Sequence, residues 1–316
     1  MPLSRAKFGI RVLLVVISLA AVGSELWAEH PDRTPHLLIL AAVSDNPGKL
    51  QGDMQPMAEY MAGKLAPLGV EGIEVLVVDS RDQMIKLFRD GRVDWVSETA
   101  YSAVLLEEQA GAEILLRKWK QGVPEYRSLI FTRRDSQLHG LPDLVDCKIA
   151  FQHPGSTSGY FQPASELRAA GLRLRQLRTI QDRPEPGSLG FLFSGAEYNT
   201  SLWVHKRLVD AGVLSSLDWQ NEAFLPAGIR DDLQVIFTSD AIPRALELVR
   251  GDLHPKIKQA MKQVLLTAHL DPEASTALRA YQDTKKFDDL DEVTRSGLQK
   301  IRDMLMTESI PSEVAP

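Results

Sequence analysis

From residue 36 onward, short β-rich apolar runs alternate with amphipathic stretches, the order expected of helices packed around mostly parallel sheets. Residues 36–42 read as a first strand. Ser44, Asp45, Asn46, Pro47 and Gly48 follow as the loop at its C-terminal end, where open α/β sheets hold ligands. Leu50, Met54, Met57, Met61 and Leu65 recur at helical spacing and predict one apolar face, with Pro56 near the first turn. A second strand is expected at residues 73–78, then a helix capped by Asp82 and stopped at Gly91. A third strand at residues 93–96 exits into Ser97, Glu98 and Thr99, and a helix through Tyr101, Val104 and Leu105 runs to Gly111.

Residues 127–132 read as the strand leaving this lobe, with the polar stretch 133–142 as crossover and hinge. Beyond it, strands at 148–151, 189–193 and 210–214 repeat the pattern, residues 234–238 return the chain, and Pro255 opens a helix. The expected fold class is α/β, a two-lobe arrangement with each lobe a mixed, mostly parallel sheet flanked by helices and joined by hinge strands. Residues 36–133 plus 238–306 form the expected first lobe, 134–237 the second, and 307–316 a frayed tail.

The first 28 residues carry a different message. Arg5, Lys7 and Arg11 precede an apolar run at 12–22, and Ala21, Gly23, Ser24 and Ala28 follow as small residues, the order of a secretory signal. That run is shorter than the roughly 20 residues that span a bilayer, so the periplasm is the expected destination, with membrane contact only through a partner or an uncleaved signal. Cys147 is the one cysteine of the chain, which excludes an intrachain disulfide, a thiolate metal cluster and a lipid-anchoring cysteine near the signal.

At 316 residues, with 44% hydrophobic and 25% charged, the chain has enough apolar content for two folded lobes. A formal net charge of −6 provides no broad basic face, which argues against nucleic acid as a partner. Any bound anion must be held locally.

One segment offers such a hold. Pro154, Gly155, Ser156, Thr157, Ser158, Gly159 and Tyr160 lie between an apolar strand and a helical stretch. Three hydroxyls at a helix start, together with unpaired N–H groups and the positive end of the helix dipole, suit a tetrahedral oxyanion. Hydroxyl residues also cap helices without any ligand, and on pattern alone both readings stand. The loop lacks the Gly-Lys-Ser/Thr of a nucleotide-binding loop and the spacing of a dinucleotide fingerprint. No HExxH and no nucleophile with a placed base occur, and His153 reads as a capping residue, so the expectation is a binding protein with neither metal nor cofactor and not an enzyme.

The mature chain resembles the periplasmic phosphonate/phosphite-type binding proteins of ABC transporters. The resemblance rests on Gln55-Pro56, Val93-Asp94, Tyr101-Ser102, Tyr126-Arg127-Ser128, and Ala150-Phe151 leading into the hydroxyl loop. Phe193-Ser194-Gly195, Val209-Asp210-Ala211-Gly212, Thr238-Ser239 and Ile242-Pro243 extend it. It implies that Ser156, Thr157 and Ser158 grip an oxyanion while Tyr101 donates from the opposing lobe. Where the family often carries a histidine, this chain has Ala196, Glu197 and Asn199, and Ser97-Glu98-Thr99 stands where Gly-Pro is frequent.

Glu98 and Glu197 are therefore expected to meet a cationic or protonated part of the ligand, as an aminoalkyl phosphonate offers. Their alternatives are a first-turn acid and a surface ion pair. Asp218, with Ser215 and Ser216, matches a family loop bordering the ligand. The expected partner of the closed form is an ABC permease; a membrane histidine kinase is the alternative.

Overall fold

The structure, a computed structural model, describes residues 37–44 and 46–307. The expected secretory signal and residues 308–316 of the expected tail lie outside the described residues.

In the first lobe, β1 (Leu37–Val43), α1 (Pro47–Leu65), β2 (Gly72–Val78), α2 (Arg81–Arg89), β3 (Trp95–Glu98), α3 (Ala100–Ala110) and β4 (Ala112–Lys118) follow one another. Next come β5 (Glu125–Tyr126), β6 (Ser128–Arg133) and β7 (Lys148–Phe151). A π-helical turn at Thr157–Phe161 then runs into α4 (Gln162–Ala169). The second lobe continues through β8 (Leu174–Gln176), β9 (Leu189–Phe193), α5 (Glu197–His205), β10 (Ala211–Ser215), α6 (Ala227–Arg230) and β11 (Leu233–Thr238). Finally β12 (Ile242–Pro243), β13 (Ala245–Arg250), α7 (Pro255–Thr267), α8 (Ser275–Ala280), β14 (Phe287–Asp288) and α9 (Glu292–Thr307) return to the first lobe.

Two six-stranded sheets result, ordered β14-β4-β13-β3-β1-β2 and β11-β6-β10-β7-β9-β8. β1, β2 and β3 are parallel, with Leu37 opposite Gly72 and Leu40 opposite Trp95, and β13 lies antiparallel between β3 and β4. The second sheet has the same construction: β7, β8, β9 and β10 are parallel, and β6 is antiparallel to both β10 and β11. Thus each lobe is a mixed sheet flanked by helices.

The crossover departs from the expected position. The run Ser128–Arg133 is hydrogen-bonded into the second sheet, where Leu129, Ile130 and Phe131 are buried between β10 and β11, so residues 133–142 already belong to that lobe. The passage between lobes is the pair β5 and β12, in which Tyr126 opposes Ile242 and Glu125 opposes Pro243.

Two smaller expectations also shift. α1 begins at Pro47, which leaves Pro56 well inside it; the apolar face offsets the lost backbone bond. Met54, Met57, Met61 and Leu65 pack with Leu38 and Leu40 of β1 and with Ile257, Met261 and Leu265 of α7, each worth about 1.5–3 kcal/mol on burial. The cap of α2 is Ser80, whose hydroxyl accepts from Gln83 N–H at 3.4 Å, with Asp82 in the first turn.

Beneath the first sheet sits a buried polar group. Glu247 of β13 accepts from Trp95 Nε1 at 2.5 Å and from the Tyr281 hydroxyl at 3.1 Å, with Lys118 Nζ 3.7 Å away. Burial drives both partners toward their neutral forms, raising the Glu247 pKa and lowering that of Lys118.

Candidate functional site

The parallel strands of both sheets point their C-terminal ends at one cleft, the place where α/β sheets gather ligand contacts. A cavity of about 790 Å³ opens there. From the first lobe it is lined by Ser44 beyond β1, Asp79 to Asp82 beyond β2, and Glu98 to Thr99 at the end of β3. Gln152 beyond β7, the hydroxyl loop, Gly195 beyond β9 and Ser215 of β10 line it from the second. Tyr126 and Arg244, on or beside the hinge strands, close the back.

Ser156, Thr157 and Ser158 all line this cavity, and each has a protein partner as well. The Ser156 hydroxyl caps its own helix by accepting from Gly159 N–H at 2.9 Å. Thr157 Oγ1 accepts from the backbone N–H of Tyr101 at 3.1 Å, across the cleft. Burial raises the pKa of the Tyr126 phenol, and Ser158, which faces it, helps to lower it. Each Ser or Thr hydroxyl retains further capacity, since one hydroxyl offers a donor and two acceptor sites. The turn requires glycine at 159, where a Cβ would meet Gln152 Cβ and Oε1 at 2.7 Å and Ser156 Oγ at 2.8 Å. His153 Nδ1 accepts from Gly155 N–H at 3.1 Å and shapes the loop.

Glu98, Glu197 and Asp218 line the same cavity. Burial pushes the Glu98 pKa above the usual carboxylate range; the Thr99 N–H and the charges of Arg81 and Lys120 oppose that rise. Burial raises Glu197 as well, and neighbouring Asp218 adds to it, while Gln152 Nε2 donates to Glu197 Oε1. Asp218 is held by Ser215, whose hydroxyl donates to Oδ2 at 2.6 Å.

Tyr101 and Asn199 are placed differently and do not line the cavity. The Tyr101 ring is 6% exposed and stacks on Phe161 of the second lobe at 4.0 Å between centroids. Through that ring Tyr101 packs the two lobes against each other. Asn199 Nδ2 donates to the Ser194 carbonyl at 2.9 Å and braces the turn before α5.

Residues outside the sequence expectations complete the wall. Arg81, Lys120 and Arg244 supply positive charge beside five carboxylates, those of Glu98, Glu197 and Asp218 and those of Asp79 and Asp82. Arg244 stands 4.9 Å from the Tyr126 ring centroid, and its buried Nε has no hydrogen-bond partner among the described residues. Burial, with Arg244 nearby, pushes Lys120 down to about 8. Arg81 was legible in principle: it opens α2 directly after a parallel strand, the same position that singled out the hydroxyl loop. Among the described residues no cluster of His, Cys, Asp and Glu could hold a metal ion.

Comparison with known proteins agrees with this architecture. Residues 40–294 match the family described as ABC transporter, phosphonate, periplasmic substrate-binding protein. No curated protein matches the chain in sequence. Among solved structures, XAC2383 from Xanthomonas citri bound to chloride ion is 36% identical, with a TM-score of 0.81, covering 86% of this chain and 98% of that one. XAC2383 bound to ATP aligns at 35% identity and a TM-score of 0.80, covering 86% and 97%. PhnD1 from Prochlorococcus marinus in complex with methylphosphonate shares the fold at 19% identity and a TM-score of 0.60, covering 86% and 99%.

Proposed function

Since the chain belongs to the phosphonate-type periplasmic substrate-binding proteins of ABC transporters, we propose that it captures a small oxyanion of the phosphonate, phosphite or phosphate class between its lobes. The observation that carries this reading is the meeting, in one cavity, of a hydroxyl-bearing helix start from the second lobe with Arg81 and Lys120 from the first. Contacts from both lobes stabilise the closed state more than the open one, and the closed form is what a permease would recognise.

Glu98, Glu197 and Asp218 add a preference. A ligand bearing an amino group beside its phosphonate, or a ligand that keeps a proton, satisfies carboxylates that a bare dianion would repel. A larger organic phosphate is the second reading, favoured by the cavity volume of about 790 Å³, well inside the range of roughly 300–1,000 Å³ for sites that enclose drug-sized ligands. The relative solved with ATP makes a nucleotide one candidate of that kind.

Family membership implies the periplasm as compartment, and among the described residues no helix is long and apolar enough to cross a membrane. Thermal shift against phosphonates, aminoalkyl phosphonates, phosphite, phosphate and ATP tests the ligand class, because a compound that binds only the folded state raises the melting temperature. A rise with a phosphonate or phosphate supports the reading; no rise with any of them counts against it. Stimulation of a reconstituted permease's ATPase by the loaded protein would separate a transport role from presentation to a sensor kinase.

A further inference from the structure

Arg81 begins α2 at the C-terminal end of β2 and lines the cleft. Its guanidinium carbon stands 4.9 Å from the centroid of the Tyr101 ring. That ring in turn lies parallel, within 12°, to Phe161 of the second lobe. Tyr101 thus joins Arg81 of the first lobe to Phe161 of the second. A guanidinium held against an aromatic ring still needs acceptors for its N–H groups, and finds them in its own plane.

Two of those nitrogens have none. Nε and Nη1 are buried and lack a hydrogen-bond partner among the described residues. Nη1 lies 3.9 Å from where a Cβ would stand on Gly155, at the head of the hydroxyl loop. Buried cationic donors without acceptors cost free energy, and an anionic oxygen placed against them removes that cost. A tetrahedral oxyanion at the helix start would present oxygens on the side that Arg81 occupies.

We infer that Arg81 is the ligand's cationic anchor in the first lobe, facing the neutral donors of the second. An oxyanion bridging the two fixes the Arg81–Tyr101–Phe161 contacts, so occupancy and apposition of the lobes are one event. The inference rests on the oxyanion reading above and adds a selectivity: Arg81 donates to the oxyanion, and therefore favours methylphosphonate, whose more basic oxygens accept more strongly, over methanesulfonate, which has a similar shape.

Calorimetric titration with both compounds, on the wild type, Arg81→Gln, Arg81→Lys and Ser156→Ala, tests this, with small-angle scattering to follow closure. Arg81→Gln is expected to weaken methylphosphonate binding at least about tenfold, the loss typical of a charged hydrogen bond, and to narrow its preference over methanesulfonate. Arg81→Lys should retain part of the affinity because the charge remains. Saturating methylphosphonate should compact the wild type and leave Arg81→Gln more open. Unchanged binding by Arg81→Gln alongside lost binding by Ser156→Ala overturns the anchor while leaving the oxyanion reading intact. Full closure of Arg81→Gln overturns the coupling, and failure of the wild type to bind either compound removes the anchor together with the oxyanion reading.

Discussion

The backbone N–H of Tyr101 donates to Thr157 Oγ1 at 3.1 Å, so the start of α3 in one lobe is capped by a side chain of the other. Thr99, at the N-cap position of α3, makes no side-chain cap of its own. An open cleft must break this hydrogen bond, which ties a helix end, normally a local matter, to the interlobe motion.

Thr157→Val removes the hydroxyl at nearly constant volume. A cap is worth about 0.5–2 kcal/mol, so the variant should bind its oxyanion roughly two- to thirtyfold more weakly, while Thr157→Ser stays close to wild type. Titration of the three proteins with the same ligand checks this.

Glu98 links the empty cleft to pH. Its pKa is raised on folding, so its contribution to stability is complete below the unfolded value of 4.5 and is lost as pH rises through the higher folded value. Ligand-free wild type should therefore lose melting temperature relative to Glu98→Gln as pH climbs above 4.5. Parallel melting curves of the two proteins across that window would remove Glu98 from the account. The difference between them isolates this residue from Glu197 and Glu247, which shift in the same direction.

Lys120 acts on the alkaline side. Because its pKa is pushed down to about 8, it is charged below that pH and increasingly neutral above it. Anion affinity should fall as pH passes upward through about 8, and the ratio of wild-type to Lys120→Gln affinity should shrink toward one. Taking the ratio cancels the ligand's own titration; a ratio constant across that pH range would contradict the assignment.

Gly159→Ala places a methyl 2.7 Å from Gln152 Cβ. Either Gln152 or the helix start must move, which disturbs the Ser156 cap and the Gln152 contact to Glu197 together. A lowered melting temperature and weakened binding are expected, by about 1–3 kcal/mol of strain. Wild-type stability and affinity in this variant would mean that the loop adapts without cost.

Much of this architecture is legible in the amino-acid pattern, and the exceptions have physical causes. The methionine stripe of α1 betrays itself because side-chain direction repeats every 3.6 residues, and the hydroxyl loop because so many small polar residues between strand and helix have few other uses. β13 was not anticipated: it is buried on both faces and carries Glu247, so it shows neither alternation nor a clean apolar run. Ser128–Arg133 is apolar enough to suit either sheet, and only its pairing with β10 and β11 assigns it. Arg244 looks like an ordinary surface charge along the chain, since what distinguishes it is the Tyr126 ring that it meets across the fold.

Calorimetric titration of the protein and of a Ser156→Ala/Thr157→Ala double variant with methylphosphonate, phosphite and phosphate tests the central claim most directly. The account predicts micromolar binding of at least one of these by the wild type, lost in the double variant while its fold, followed by circular dichroism, is retained. Equal affinity in the two proteins, or binding of none of these oxyanions by the wild type, would contradict it.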